Sequence, residues 1–147
     1  MLKVSVFAVG KLKETFWKDA CAEYLKRLEG YANVVVKEIP DTTKEKEAQA
    51  ILSALPEKTP VILLDIKGKP TSSEAFSQKL DNWALSGKSH LVFIIGGSDG
   101  VTEEVKKRAS ERMSFGPITL PHNLARVVFL EQLYRACKIS RHEPYHK

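Results

Sequence analysis

The sequence predicts an α/β fold built on a mostly parallel sheet, and three observations carry that prediction. Five β-rich runs alternate with five stretches of helical periodicity, a pattern that right-handed crossovers turn into a sheet with helices on both sides. One run, Leu91–Ile95, is continuously apolar and bounded by glycine, as suits a strand buried on both faces. It stops at Gly96-Gly97-Ser98-Asp99-Gly100, where glycines expose backbone and permit positive φ, and Thr102 is placed to cap a helix from about Glu103. Open α/β sheets hold their ligands at such carboxyl-end loops.

The elements follow in order. Leu2–Val9 is the first strand, closed by Gly10. Lys13–Glu29 carries Phe16, Trp17, Ala20, Cys21, Tyr24, Leu25 and Leu28 at helical spacing, so these side chains, aromatics included, are expected in the core. Gly30 ends that helix, and Val34–Ile39 is a second strand stopped by Pro40. Asp41-Thr42-Thr43 offers caps for a helix over Lys44–Leu55, whose charged first half reads as a solvated face. Val61–Leu64 is the third strand, followed by Asp65 and a loop Ile66–Pro70. Ser72 or Ser73 caps a helix to about Leu85, with Phe76, Leu80, Trp83 and Ala84 on its apolar side. After Leu91–Ile95 a helix spans about Glu103–Arg112, and Ser114–Thr119 is a short fifth strand. Its Gly116 and Pro117 imply an incomplete or ligand-facing ladder. Leu120-Pro121-His122-Asn123 turns into a last helix, Leu124–Ile139. This helix is apolar over so wide an arc that part of it is expected to face another subunit.

Composition narrows the class. At 147 residues the chain fits one domain, 1–147, with no repeat or linker. The net charge of +5 permits nucleic-acid binding without requiring it. Between His122 and Lys147, five Lys or Arg side chains face two acids, so much of the excess sits in the tail. Two cysteines, Cys21 and Cys137, lie in helical patterns and form no ligand cluster, which fits a reduced, cytoplasmic protein. The amino terminus alternates and carries lysine, so it reads as a strand, and no apolar run is long enough for a bilayer. The glycine loop has GGxxG spacing, which excludes the dinucleotide fingerprint GxGxxG. It also lacks the lysine of a phosphate-cradling loop.

The loop IIGGSDG, the segment ITLPHNLARVVFLEQLYRACKI and the closing HEPYHK together resemble the RlmH family of SPOUT methyltransferases, which methylate N3 of a pseudouridine in bacterial large-subunit ribosomal RNA. The likeness runs from VFAVGKLK through LLDIKGKP to the last residue, with Ser98-Asp99 where related sequences often have Pro-Glu. It implies a parallel-sheet SPOUT fold closed by a carboxyl-terminal deep trefoil knot, and a homodimer. It further implies S-adenosylmethionine as cofactor and the helix 69 loop of 23S rRNA in the assembled ribosome as substrate. By matching positions, Leu64, Gly97 and the run Gly116, Pro117, Ile118, Thr119, Leu120 and Pro121 line the cofactor.

An activated sulfonium needs neither metal nor covalent nucleophile; the enzyme aligns N3 with the methyl group and handles the N3 proton. His122, Tyr145 and His146 are the candidates for that work, and Arg126 and Arg135 for phosphate contact or the subunit interface. From the residues alone, His122 reads equally as a cap or a carbonyl partner, the two arginines as solvated residues or partners of Glu131, and the last residues as a frayed end. His90, opening a buried strand, belongs to packing. Three other readings stand beside this one: a methyltransferase for another RNA base, a non-catalytic ribosome-binding protein, and a Rossmann-type nucleotide enzyme disfavoured by the missing fingerprint.

Overall fold

The computed structural model describes residues 1–147. In chain order the elements are β1 (Leu2–Val9), α1 (Thr15–Leu28), β2 (Ala32–Ile39), α2 (Lys44–Ala54), β3 (Val61–Pro70), α3 (Ser73–Leu85), β4 (His90–Ile95), α4 (Glu103–Arg108), β5 (Glu111–Ser114) and α5 (His122–Ser140). The strands form one sheet in the order β2-β1-β4-β3-β5, and every pairing is parallel.

Strand periodicity divides the core in two. Leu91, Phe93 and Ile95 of β4 join Val4, Val6 and Ala8 of β1 in a cluster with side chains of α1, α3 and α5. The intervening Val92 and Ile94 join Phe7 and Val9 in a second cluster with α2 and α4. The central strand is therefore apolar on both faces because both faces are covered. Phe76, Phe93 and Phe129 meet at tilted and edge-on angles with centroids 4.8 to 6.2 Å apart, tying α3 and α5 to β4. Alongside, Ser77 Oγ donates to the Ala136 carbonyl (2.8 Å) and Ser140 Oγ to Asp81 (2.6 Å), so α3 and α5 run parallel. Side-chain caps start three helices: Thr43 accepts from the Lys46 N–H, Ser72 from that of Ala75 and Thr102 from that of Val105.

Four expectations give way. The fourth helix ends at Arg108 rather than Arg112, because Ser110 is drawn into the sheet: its N–H donates to the Val61 carbonyl (2.7 Å) and its Oγ accepts from the Val61 N–H (3.2 Å). The fifth strand is consequently Glu111–Ser114, not Ser114–Thr119. After Ser114 the partner strand has ended at Pro70, and Gly116 takes φ +119°. The third strand does not stop at Leu64. It bulges between Leu64 and Lys69 and continues to Pro70, and a Cβ on Gly68 would lie 2.7 Å from the Arg112 carbonyl carbon, so glycine lets the bulge touch β5. Phe16 is 62% exposed on the first turn of α1, beside Trp17 with ring centroids 4.9 Å apart. The helix instead buries Cys21 and Leu28.

The wide apolar arc of α5 resolves into two parts. Phe129, Leu130, Leu133 and Ala136 are buried within the chain, whereas Leu124, Val127, Val128 and Tyr134 are only half-buried.

Gly68→Ala is expected to cost about 1–3 kcal/mol, because the new methyl meets backbone that cannot rotate away. Urea unfolding measures it, and a change within error would show that the bulge adjusts freely.

Candidate active site

The carboxyl edge of the sheet is shaped by one crossing segment. Ser114 lies on β5 at the sheet edge, paired with Pro70, while a Cβ on Gly10 at the end of β1 would lie 3.2 Å from the His122 ring. Between them Phe115–Pro121 must pass the carboxyl ends of β3 and β4, which separate β5 from β1. Ser114 Oγ ties off its start, accepting from the Gly116 N–H (3.0 Å) and donating to the Gly116 carbonyl (3.0 Å). Beyond that, the peptide groups of Ile118, Thr119 and Leu120 make no backbone hydrogen bond within the protein, and Ile118 is 78% exposed. Leu64, half-buried, stands where β3 bulges beneath this segment.

The glycine loop owes its bareness to packing. Only Gly100 has positive φ, at +77°. A Cβ on Gly96 would stand 2.9 Å from Val101 Cγ1, and one on Gly97 would stand 3.0 Å from Val9 Cγ1 and 3.6 Å from Glu47 Oε1. Gly97 thus lets the loop settle against β1 and α2. The buried Glu47 beside it accepts from the Thr42 N–H (2.9 Å), and desolvation, with Asp41 and Asp99 nearby, pushes its carboxyl above the usual range.

At the start of α5, His122 is half-buried and neither ring nitrogen has a hydrogen-bond partner. One turn on, Arg126 is 3% exposed, turned into the chain rather than outward to the phosphate or second subunit expected as its partner. Its Nη1 donates to Glu38 (2.7 Å) and its Nη2 to the Gly10 carbonyl (2.9 Å). Desolvation raises the Glu38 pKa, but the hydrogen bonds from Arg126 and the Leu12 N–H outweigh it and the carboxyl ends below its ordinary value. The signal was in the sequence: Arg126 shares the spacing of Phe129, Leu130, Leu133 and Ala136, the face that α5 buries.

The last residues are ordered rather than frayed. Tyr145 Oη donates to Glu131 (2.8 Å), its ring meets Tyr134 edge-on at 4.8 Å, and the Arg135 guanidinium stands 4.7 Å from its centroid. Burial and the bond to Glu131 push the phenol up to about 12. Arg135 also holds Glu131 (2.6 Å) and reaches His146 Nδ1 (3.1 Å), while His146 Nε2 meets Glu74 on the first turn of α3. An arginine can only donate, so Nδ1 accepts and Nε2 carries the proton. Glu143 accepts from Tyr31 Oη (2.8 Å), which anchors the tail just before Tyr145 and His146.

The candidates therefore fall into two groups. His122 opens α5, whereas Tyr145 and His146 are held at Glu131 and Arg135, nine and thirteen residues along it. That is roughly 14–20 Å along the helix axis. Sequence reasoning missed Glu74 and Glu38, whose partners lie far along the chain.

The crossing segment leaves the peptide groups of Ile118, Thr119 and Leu120 free to hydrogen-bond a polar ligand, with the exposed Ile118 and the half-buried Leu64 and Leu120 as apolar side chains on the segment and at the end of β3. The buried Asn123 Oδ1, without a partner at the uncapped start of α5, supplies an unused acceptor there. Cys137, pushed up to about 11 by burial, is no nucleophile at neutral pH.

A family model described as "Predicted SPOUT methyltransferase" matches residues 2–146. The chain is similar to proteins called "Ribosomal RNA large subunit methyltransferase H" from Bacillus cytotoxicus and Bacillus thuringiensis (strain Al Hakam). Each is 48% identical over 159 residues, an alignment covering 99% of this chain and 100% of the relative. No helix is long and apolar enough to cross a membrane.

Arg126→Ala is expected to destabilise the fold by about 3 kcal/mol at neutral pH, since it strips partners from the Gly10 carbonyl and Glu38. The Glu38 pKa is depressed in the folded state, so the pair stabilises above the unfolded carboxyl value, about 4.3, and its contribution is lost as pH falls through the folded value. Denaturant unfolding across that range should show the wild-type advantage narrowing in acid; a constant gap would assign it to packing alone.

Proposed function

The chain belongs to the SPOUT methyltransferase family, and on that premise we propose that it uses S-adenosylmethionine to methylate N3 of a pseudouridine in the helix 69 loop of 23S rRNA, on assembled ribosomes in the cytoplasm. The observation that carries this reading is the segment Phe115–Pro121, drawn across the strand ends with the peptide groups of Ile118, Thr119 and Leu120 unpaired. The deep trefoil knot expected of the family is part of this proposal, with α5 as the segment that would be threaded.

In this reading Leu64, Gly97, Gly116, Pro117, Ile118, Thr119, Leu120 and Pro121 hold the cofactor, with Gly97 acting through the shape of its loop. Bound there, the cofactor supplies an electrophilic methyl group. The chain's own residues then have separable tasks. His122, whose ring nitrogens are unengaged, takes the N3 proton. Tyr145 works through its ring, because a phenol pushed up to about 12 and already donating to Glu131 is no base at neutral pH. His146, its Nδ1 occupied by Arg135 and its Nε2 by Glu74, contributes as a donor in a fixed orientation. Arg135 is the arginine left for phosphate or the subunit interface, Arg126 being turned inward.

The distance between His122 and the tail supports a homodimer, in which the tail of one subunit completes the site of the other. The half-buried side of α5, with Leu124, Val127 and Val128, is the surface for that contact. Val128→Glu should yield monomers by analytical ultracentrifugation and little methyl transfer; a fully active monomer would refute the shared site.

The central experiment is transfer of tritiated methyl groups to ribosomes, subunits and free rRNA, with the modified position mapped. A chain ending at Glu143 keeps the Tyr31 anchor, and should retain S-adenosylmethionine affinity while losing transfer at least about 100-fold. Wild-type turnover by that chain would remove Tyr145 and His146 from the site.

A further inference from the structure

A cleft of about 620 Å³ opens at the opposite edge of the sheet, lined by Glu57, Lys58, Thr59, Pro60, Trp83, Lys88, Arg108 and Ser110. We propose that this cleft is a second RNA contact, gripping the phosphodiester backbone of the ribosomal substrate at a distance from the methylated base. The inference rests on the rRNA methyltransferase reading above.

Three features of the cleft point to an anion. Its three cations face one acid, Glu57, and none of Lys58, Lys88 or Arg108 enters an ion pair, although seven such pairs form elsewhere in the chain. Arg108 spends one nitrogen, Nη2, on the Pro56 (3.0 Å) and Thr59 (3.5 Å) carbonyls, which fixes the guanidinium in the wall and leaves Nε and Nη1 without a protein partner. Lys58 holds φ +58°, a left-handed conformation that glycine or asparagine adopts at less cost than a lysine. The turn between Pro56 and Pro60 thus carries a lysine where an uncharged glycine or asparagine would cost less.

RNA is favoured over a small anion by form and position. The cleft is open to solvent with room for more than a small anion, and the half-buried Trp83 indole, with Lys79 Nζ 5.8 Å from its ring centre, puts an aromatic in its wall and a further cation beside it. It lies where β3, β4 and β5 begin, so the six residues of β4 separate it from the glycine loop by roughly 20 Å. A folded rRNA domain spans that distance, whereas a nucleotide seated at the methylation site does not.

The test compares wild type, Lys58→Glu/Lys88→Glu, and a control of equal charge change on β2 and α2, Lys37→Glu/Lys46→Glu. Binding to unmethylated 70S ribosomes is measured across a salt series, together with methyl-transfer kinetics. The cleft variant should raise KM for ribosomes at least about 10-fold with kcat within twofold. It should also flatten the salt slope by about 2, one unit for each phosphate released. Its S-adenosylmethionine affinity should equal that of wild type. Lys58→Gly supplies an arm in which folding is not at risk: it relieves the strained φ, so it should melt no lower than wild type and yet bind ribosomes several-fold more weakly. Wild-type KM and slope in the cleft variant, or an equal effect in the control pair, overturns the cleft and leaves the methyltransferase reading intact. Displacement of bound ribosomes by millimolar inorganic phosphate alone would likewise replace RNA with a small anion. If wild type transfers no methyl group to any ribosomal substrate, the function reading fails separately. The salt slopes of ribosome binding then decide the cleft without turnover.

Discussion

Arg126 is the point at which the carboxyl edge of the sheet is tied together. Its guanidinium bridges the carbonyl of Gly10, at the end of β1, and the carboxylate of Glu38, near the end of β2. Glu38 in turn accepts the Leu12 N–H. One side chain from the first turn of α5 therefore fixes where that helix begins relative to two strand ends. Everything on the carboxyl edge inherits that placement. His122 is set against Gly10, and the chain between Ser114 and His122 is stretched across the intervening strands. A buried arginine is costly without partners; Nη1 and Nη2 find them here, while Nε is buried without one.

A second consequence follows at the other end of the same helix. Glu131 and Arg135, one turn apart on α5, form a charged seat whose hydrogen bonds organise the tail, with Tyr145 bound to the first and His146 to the second. The seat also sets protonation states. Burial, with the carboxylate that orders Tyr145, pushes its phenol further up, to about 12, and the arginine that orders His146 occupies its lone pair. Tyr145 and His146, which look from composition like acid–base catalysts, are thus held as a ring and a donor, whereas the ring nitrogens of His122 have no partner. Geometry here decides chemistry through hydrogen-bond direction, which residue type leaves open.

The glycine loop carries a related lesson. Gly96 and Gly97 look like ligand-facing backbone, yet the space a Cβ would need is filled by Val101, Val9 and Glu47. Their bareness serves close packing of the loop on β1 and α2. The backbone left without partners at this edge is that of the crossing segment, whose Gly116 has the positive φ that Gly96 and Gly97 lack.

The architecture was legible in the sequence because it follows from local rules. Alternating strand and helix periods, an apolar central strand, and Thr43, Ser72 and Thr102 at helix starts are consequences of hydrogen bonding and burial within a few residues. The family was legible as well, through motifs spread along the whole chain. What the local pattern could not contain is every feature made by residues distant in sequence. Glu111–Ser114 became a strand because β3 had an edge to fill, against a helical local preference, and the Gly68 bulge exists because Arg112 lies beneath it. Arg126 turned inward because Glu38 and the Gly10 carbonyl, 88 and 116 residues away, were there to receive it. The tail is ordered by partners as remote as Glu74 and Tyr31. Local periodicity sets which face of an element is apolar; only the closed fold determines which buried polar group meets which, because a charge leaves water only where a partner already waits.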